Sequence, residues 1–322
     1  MRNKLFSLVL TAAIALSATA CGSGSSGSST TAAETKASEA STTSSETTAA
    51  AETPAASEKD TEAASENTIT GKVTLGVVGS DKDFWVPAQE YLKNEGIDLE
   101  FVEFTDYTTP NSALDQGEID LNAFQHEVYL DTEIKEHGYK IQNIGYTVMS
   151  PLNLYSAKIK SVDEIKEGDI IAVPNDTTNE GRALKVLEQA GLIKLKEGDL
   201  ENPSLDDIES YNVKIDIKEM AANTIAAALP DVTAAIVNGN YAVDNGYTND
   251  DAVYLDTGSS AKEYWNLVAA KTSDLSDKNK VALFGKVVEA FHQQGTIDVF
   301  NGEFKGAYIP VGWDEDLLKE YK

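Results

Sequence analysis

The sequence predicts an α/β fold built as two lobes, with largely parallel sheets and a ligand cleft between them. Three observations point there. Strand-like and helix-like segments alternate from residue 69 to residue 322, the pattern of sheets covered by helices. That stretch is large for one layered core and natural for two lobes of roughly 100–130 residues each. Two strands, moreover, end in polar turns that open onto helix N-termini. Open α/β sheets bind ligands at such ends, and two of them facing one another make an interlobe cleft.

Taken in order, "KVTLGVVG" (Lys72–Gly79) is a nearly continuous apolar run, a strand buried on both faces. "DFWVPAQEYLKNEG" follows as a helix ending at Gly96, and "DLEFVEF" (Asp98–Phe104) alternates as a strand. "NSALDQGEIDLNAF" reads as a short helix stopped at Gly117, then a strand from Ile119. "GYTVMSPLNLYSAKI" (Gly145–Ile159) is the expected crossing into the second lobe. There "DIIAVPND" (Asp169–Asp176) is a strand and "GRALKVLEQAGLI" a helix, with short strands at "KIDIKEM", "TAAIVNGNYA" and "AVYLD". "EYWNLVAAKTS" (Glu263–Ser273) is the expected return. An amphipathic helix over Asp277–Gly295 then puts Val281, Phe284, Val287, Val288 and Phe291 on one face. The expected lobes are residues 69–150 with 264–322, and residues 151–263.

The first 68 residues are of another kind. "MRNKLFSLVLTAAIALSATA" has a basic start, an apolar run too short to span a membrane with its flanks, and small residues leading to Cys21. This is a secretory signal over residues 1–20. Ala18, Thr19 and Ala20 before Cys21 resemble a lipoprotein processing site, at which the cysteine is lipidated and becomes the new N-terminus. Ala18 stands where Leu is more usual, and the alternative is an ordinary signal with an incidental cysteine. Cys21 is the only cysteine, so the exported domain is held by its core without disulfides. Residues 22–68 contain no aromatic residue, Val, Ile, Leu or Met. Such a segment buries too little to offset its ordering entropy, and residues 21–68 read as a lipidated cysteine and a disordered tether spanning roughly 35–40 Å as a coil.

Charge removes several classes of function. The net charge is −27; the signal carries +2 and the tether −6, so −23 belongs to residues 69–322. So acidic a surface repels nucleic acid and anionic lipid. Gly285-Lys286 lacks the upstream glycine and the hydroxyl residue of a phosphate-binding loop, and there is no Gly-x-Ser-x-Gly elbow. His126 has no i+4 histidine, and His137 and His292 sit in helical contexts far off in sequence. No metal site is therefore expected, and a catalytic His126 would lack a cysteine nucleophile.

"NAFQHEVYLD" (Asn122–Asp131) crowds Phe124, His126 and Tyr129 together in a chain of three histidines. Phe124 reads either as core or as pocket wall, and Tyr129 either as helix packing or as pocket wall. Arg182 is one of only two arginines, the other being Arg2 in the signal. Following a strand-end "PND", its planar fork suits a carboxylate; a surface ion pair is the alternative. "NGNY" (Asn238–Tyr241) interrupts an apolar strand with two amides, either as a turn or as an amide facing a ligand.

"FVEFTDYTTPNSALDQGEIDLNAFQHEVYLD", "VPNDTTNEGRAL" and "AAIVNGNYA" resemble the NlpA-type lipoproteins, the substrate-binding components of methionine importers of the ABC class. The likeness runs over residues 72–313. It implies a two-lobed periplasmic-binding-protein fold (type II-like), no catalysis, no cofactor, and a free amino acid, usually L-methionine, handed to a membrane permease driven by an ATPase. A protein of this kind is lipid-anchored on the extracytoplasmic face of the cell membrane. By the same resemblance Tyr107, Phe124, His126 and Tyr129 match the aromatic and imidazole wall of the pocket. Asn179 and Arg182 match the amide and guanidinium on the α-carboxylate, and Asn238 the amide near the amino group. Phe84 and Trp85, in "SDKDFW", depart from the smaller or more polar residues common there. They fill part of the pocket, stack on a larger ligand, or pack on the helix. A methionine-containing dipeptide or another apolar or aromatic amino acid is the alternative ligand; an adhesin or an enzyme on the same lobes is the remote alternative.

Overall fold

The computed structural model describes residues 69–198, 200–257 and 261–322; the expected signal, Cys21 and the tether lie outside them. Strand β1 (Gly71–Val78) is an interior strand of the first sheet, with Val73, Leu75 and Val77 buried. Helix α1 (Asp81–Asn94) lays Phe84, Trp85, Ala88 and Leu92 against that sheet. β1 runs parallel to β2 (Ile97–Phe104) on one side and to β3 (Leu121–Asn122) on the other. Between these two, α2 (Pro110–Gln116) starts on a proline, whose missing N–H is no loss at a helix start. It ends at Gly117 in the left-handed conformation, φ 77°. Helix α3 (Glu127–His137) and strand β4 (Ile141–Met149) follow.

Ser150 and Pro151 then carry the chain straight into a second sheet. It holds β5 (Leu152–Tyr155) and β6 (Ile170–Pro174), the latter followed by α4 (Thr177–Gln189). A two-stranded ribbon, β7 (Ile193–Leu195) with β8 (Ile208–Tyr211), lies beyond α4. After it come β9 (Asp216–Met220), α5 (Ala222–Ala228), β10 (Ala234–Asn238), α6 (Gly239–Asp244) and β11 (Ala252–Tyr254). The chain re-enters the first sheet as β12 (Trp265–Lys271) and closes with α7 (Lys278–Phe291), α8 (Gln294–Gly302) and β13 (Ile309–Pro310). The sheet orders are β13-β4-β12-β3-β1-β2 and β11-β5-β10-β6-β9. This is the two-lobed α/β architecture the sequence predicts. Each sheet has its own apolar core, and a third cluster joins them, with Val78, Phe124 and Tyr129 from one side and Tyr155, Ile225 and Tyr241 from the other.

Four local expectations are corrected. The sheets are mixed rather than largely parallel: β12 pairs antiparallel with β3 and β4, and β5 antiparallel with β10 and β11. The strands that follow the crossings, β5 and β12, run back against the parallel set, and the chain returns to the first sheet within "EYWNLVAAKTS" as β12. The strand expected from Ile119 is two residues long, because Asn122 and Gln125 turn inward to share hydrogen bonds with Asn111. "TAAIVNGNYA" is a strand only to Asn238, where α6 begins. The helix expected to reach Gly295 ends at Phe291. His292 there stacks on Trp313 and bonds the Tyr146 carbonyl through Nε2, at 2.8 Å, before α8 starts.

Candidate functional site

Strands β1, β3, β6 and β10 all end at one cleft between the two sheets, and all nine sequence-predicted residues line it: Phe84, Trp85, Tyr107, Phe124, His126, Tyr129, Asn179, Arg182 and Asn238. Its non-atom space, open solvent at its mouth included, is about 620 Å³.

One wall is aromatic. The rings of Tyr107 and Phe124 lie 5.9 Å apart, those of Phe124 and Tyr129 5.9 Å apart at 76°, and those of Tyr107 and Tyr129 6.2 Å apart at 71°. Tyr129 donates its hydroxyl to the Tyr107 carbonyl at 3.0 Å, so the cage is pinned. Behind it, the buried amides of Asn111, Asn122 and Gln125 bond one another at 2.7–3.0 Å, and a closed polar network of this kind rigidifies the segment that carries Phe124.

His126 caps α3. Its Nδ1 accepts the Tyr129 backbone N–H at 3.1 Å, a cap bond that Ser, Thr, Asp or Asn more often supplies. An accepting Nδ1 places the proton of the neutral ring on Nε2. Burial, and then the nearby Arg182 charge, push its pKa down to about 3, against a smaller contribution from Asn179. The ring is therefore neutral at physiological pH. Its Nε2 is buried without a hydrogen-bond partner among the described residues: an N–H donor held out of water at the cleft.

The opposite wall comes from α4 and the end of β10. Asp176 caps α4 by accepting the Asn179 N–H at 3.0 Å, and both its oxygens accept from Asn179 Nδ2, at 2.9 and 3.1 Å. Burial raises the Asp176 pKa, and these bonds work against that rise. Asn179 Oδ1 accordingly points the other way and accepts Asn238 Nδ2 at 2.9 Å. Asn238 Oδ1 is left buried, with no partner among the described residues.

Arg182 is also on the cleft, 4% exposed, and is not in a surface ion pair. Its Nη2 donates to Asp256 Oδ2 at 2.9 Å, the Asp256 side chain being 2% exposed, and to the Ser150 carbonyl at 2.7 Å. The guanidinium carbon sits 4.9 Å from the Tyr264 ring centroid. Phe84 and Trp85 form the floor of the cleft and pack on helices behind it. Phe84 meets Phe300 of α8 edge-on at 5.3 Å, and Phe304 and Tyr308 beyond that helix at 4.7 and 4.5 Å; Trp85 lies 4.3 Å from Phe291 of α7.

Sequence reasoning missed Asp256, Asn240 and Asp81. Asp256 is one of 53 acids, with nothing local to tie it to an arginine 74 residues away. Asn240 was visible as the second amide of "NGNY". Asp81, another lining residue, follows the Gly79 turn without a distinguishing motif.

Chemically the arrangement offers a buried cation and a neutral N–H donor, an amide oxygen that lacks a donor among the described residues, and a three-ring cage. That set suits an amino-acid zwitterion with an apolar side chain.

The family model described as NlpA lipoprotein matches residues 73–312. Outer membrane lipoprotein 3 of Mannheimia haemolytica is 42% identical over 246 residues, 75% of this chain and 90% of that protein. The D-methionine-binding lipoprotein MetQ of Salmonella typhi is 39% identical over 241 residues, 74% of this chain and 86% of that protein. Among solved structures, a nutrient binding protein from Burkholderia cenocepacia bound to methionine is similar, with a TM-score of 0.69 and 36% identity. The match covers 74% of this chain and 99% of that one. The fold, the cleft and a family match spanning both sheets agree: the chain belongs to the NlpA lipoprotein family.

Proposed function

We propose that this chain is the extracytoplasmic substrate-binding lipoprotein of an ABC importer. It captures L-methionine, or a close analogue, between its lobes and delivers it to a membrane permease and ATPase. Binding and release make and break no covalent bond, and no enzymatic step belongs to the reading. One observation carries it: a single cleft holds Arg182 and the His126 Nε2–H, the buried Asn238 Oδ1, and the Tyr107–Phe124–Tyr129 cage. Arg182 and His126 take the α-carboxylate, with Asn179 holding Asn238 in place. Asn238 Oδ1 accepts from the ammonium, and the rings take the thioether. Burying the methionine side chain contributes about 1.5–3 kcal/mol, and sulfur–ring contacts about 0.3–1.5 kcal/mol.

The lobes of this reading are residues 69–150 with 264–322, and residues 151–263; the membership of the two sheets supports them. Cys21 carries the lipid that holds the protein on the outer face of the cell membrane, and residues 22–68 are the tether. The names of the Salmonella and Burkholderia relatives support methionine as the ligand class.

The test is calorimetry of the purified protein with L-methionine, D-methionine, leucine, phenylalanine and methionine dipeptides. Tightest binding of a methionine enantiomer supports the reading. Tighter binding of leucine, phenylalanine or a dipeptide, or no binding of any, overturns methionine as the ligand.

A further inference from the structure

Helix α6 reaches from the second sheet across the cleft. The side chain of Asn240, buried at 4% exposure, bonds the first lobe through both of its polar atoms. Its Oδ1 accepts the Tyr107 hydroxyl at 2.6 Å, and its Nδ2 donates to the carbonyl of Val78, the last residue of β1, at 3.3 Å. Its own backbone carbonyl accepts the Ser80 hydroxyl at 3.2 Å. One turn further on, Asp244 Oδ1 accepts the Ser80 N–H at 2.8 Å. The receiving turn is shaped for this approach. Gly79 sits at φ 57°, and a Cβ there would lie 2.2 Å from Asp244 Oδ2. Asn223 and Tyr241 also bond across, to the Thr105 carbonyl, at 3.2 and 3.4 Å, but each through one atom only.

Asn240 also stands beside the groups that hold a ligand. Asn238 is two residues before it on the same strand-to-helix junction, and Tyr107 is a ring of the cage. A ligand that orders Tyr107 on one lobe and Asn238 on the other aligns Tyr107 with Asn240, two residues on from Asn238.

We propose that Asn240 is the latch of the closed cleft: a positioning residue that grips Tyr107 and the end of β1, so that release requires its two interlobe hydrogen bonds to break. The proposal deepens the reading above and rests on it for the ligand. In a latch of this kind the effect falls on dissociation, because the bonds form after encounter. Removing a pair of buried hydrogen bonds of ordinary strength corresponds to about a tenfold change.

The experiment is stopped-flow binding of L-methionine to the full chain, as wild type, Asn240→Ala, Tyr107→Phe and the double variant. Alanine favours helix over asparagine, so Asn240→Ala leaves α6 intact. Its dissociation rate is expected to rise about tenfold with the association rate within about twofold. The double variant is expected to fall short of the product of the single effects, because Tyr107 and Asn240 share one bond. An unchanged dissociation rate in Asn240→Ala, or fully multiplicative effects, overturns the latch. A second measurement needs no ligand: small-angle scattering of wild type and Asn240→Ala. If wild type fails to bind methionine, it is the methionine reading that falls. Scattering then decides the latch: a larger radius of gyration in the variant supports it and identical profiles overturn it.

Discussion

Asn179 Oδ1 accepts a hydrogen bond from Asn238 Nδ2 at 2.9 Å, and this bond decides which atom of Asn238 the cleft receives. Asparagine can present either end of its amide. Here the Asp176 carboxylate holds Asn179 Nδ2 with both oxygens, which turns Asn179 Oδ1 toward Asn238 and leaves Asn238 Oδ1 for a donor. A helix cap thereby sets which amide atom the end of the neighbouring strand turns to the cleft.

The first prediction concerns that oxygen. Asn238→Ala weakens methionine binding about 10–100-fold, the cost of a buried ammonium losing its acceptor. The des-amino analogue 4-(methylthio)butanoate has no ammonium, so its affinity changes by no more than about threefold. Calorimetry with both ligands checks this, and an equal loss for the two contradicts the role of Asn238.

Asp176→Ala removes the α4 cap and the anchor of both amides. Stability is expected to fall by about 1 kcal/mol, read by urea unfolding. Discrimination between methionine and the des-amino analogue narrows as well, since Asn179 is then able to flip. A variant that loses stability but keeps full discrimination shows that the cap does not orient the amides.

Arg182 and Asp256 form a buried ion pair. Arg182→Met removes the counterion of the Asp256 carboxylate and is expected to destabilise the fold by about 3–5 kcal/mol while abolishing methionine binding. Adding Asp256→Leu recovers most of that stability, because replacing both charges with packed apolar groups is often neutral. Binding stays lost, because the guanidinium is gone. Restored binding in the double variant contradicts Arg182 as the carboxylate anchor.

His126 gives a pH signature. Its folded-state pKa is about 3 and its ordinary value 6.5, so below pH 6.5 the unfolded chain binds a proton that the native state excludes. The stability tied to the neutral ring is complete above pH 6.5 and is lost as pH falls toward 3. At pH 5 the loss is about 2 kcal/mol. His126→Asn keeps a capping side chain and removes this titration. The stability difference between wild type and variant is therefore expected to shift by about 2 kcal/mol between pH 7 and pH 5. Raised carboxylates such as Asp176 and Asp244 act in the opposite sense and cancel in the comparison. A constant difference contradicts a buried neutral His126.

Much of the fold is legible in the residues, and the reasons are local. Val73, Leu75 and Val77 mark β1 as buried, and Val281, Phe284 and Val288 mark one face of α7. The candidate residues meet because "NAFQH", "PND" and "VNGN" each stand at a strand end, and strand ends share the cleft. Non-local features stay hidden. No periodicity tells that β12, from the far end of the chain, enters between β3 and β4. Helix α6, at six residues, is too short to show a helical repeat. Choosing Asp256 for Arg182 depends on packing that brings distant loops together. His126 conceals the start of α3 because imidazole is an unusual cap.

The most direct measurement is a crystal structure of the protein with L-methionine bound. The expected result has the carboxylate on Arg182 and His126 Nε2, the ammonium on Asn238 Oδ1, and the thioether within the rings of Tyr107, Phe124 and Tyr129. Methionine bound with its carboxylate away from Arg182, or bound outside this cleft, contradicts the assignment.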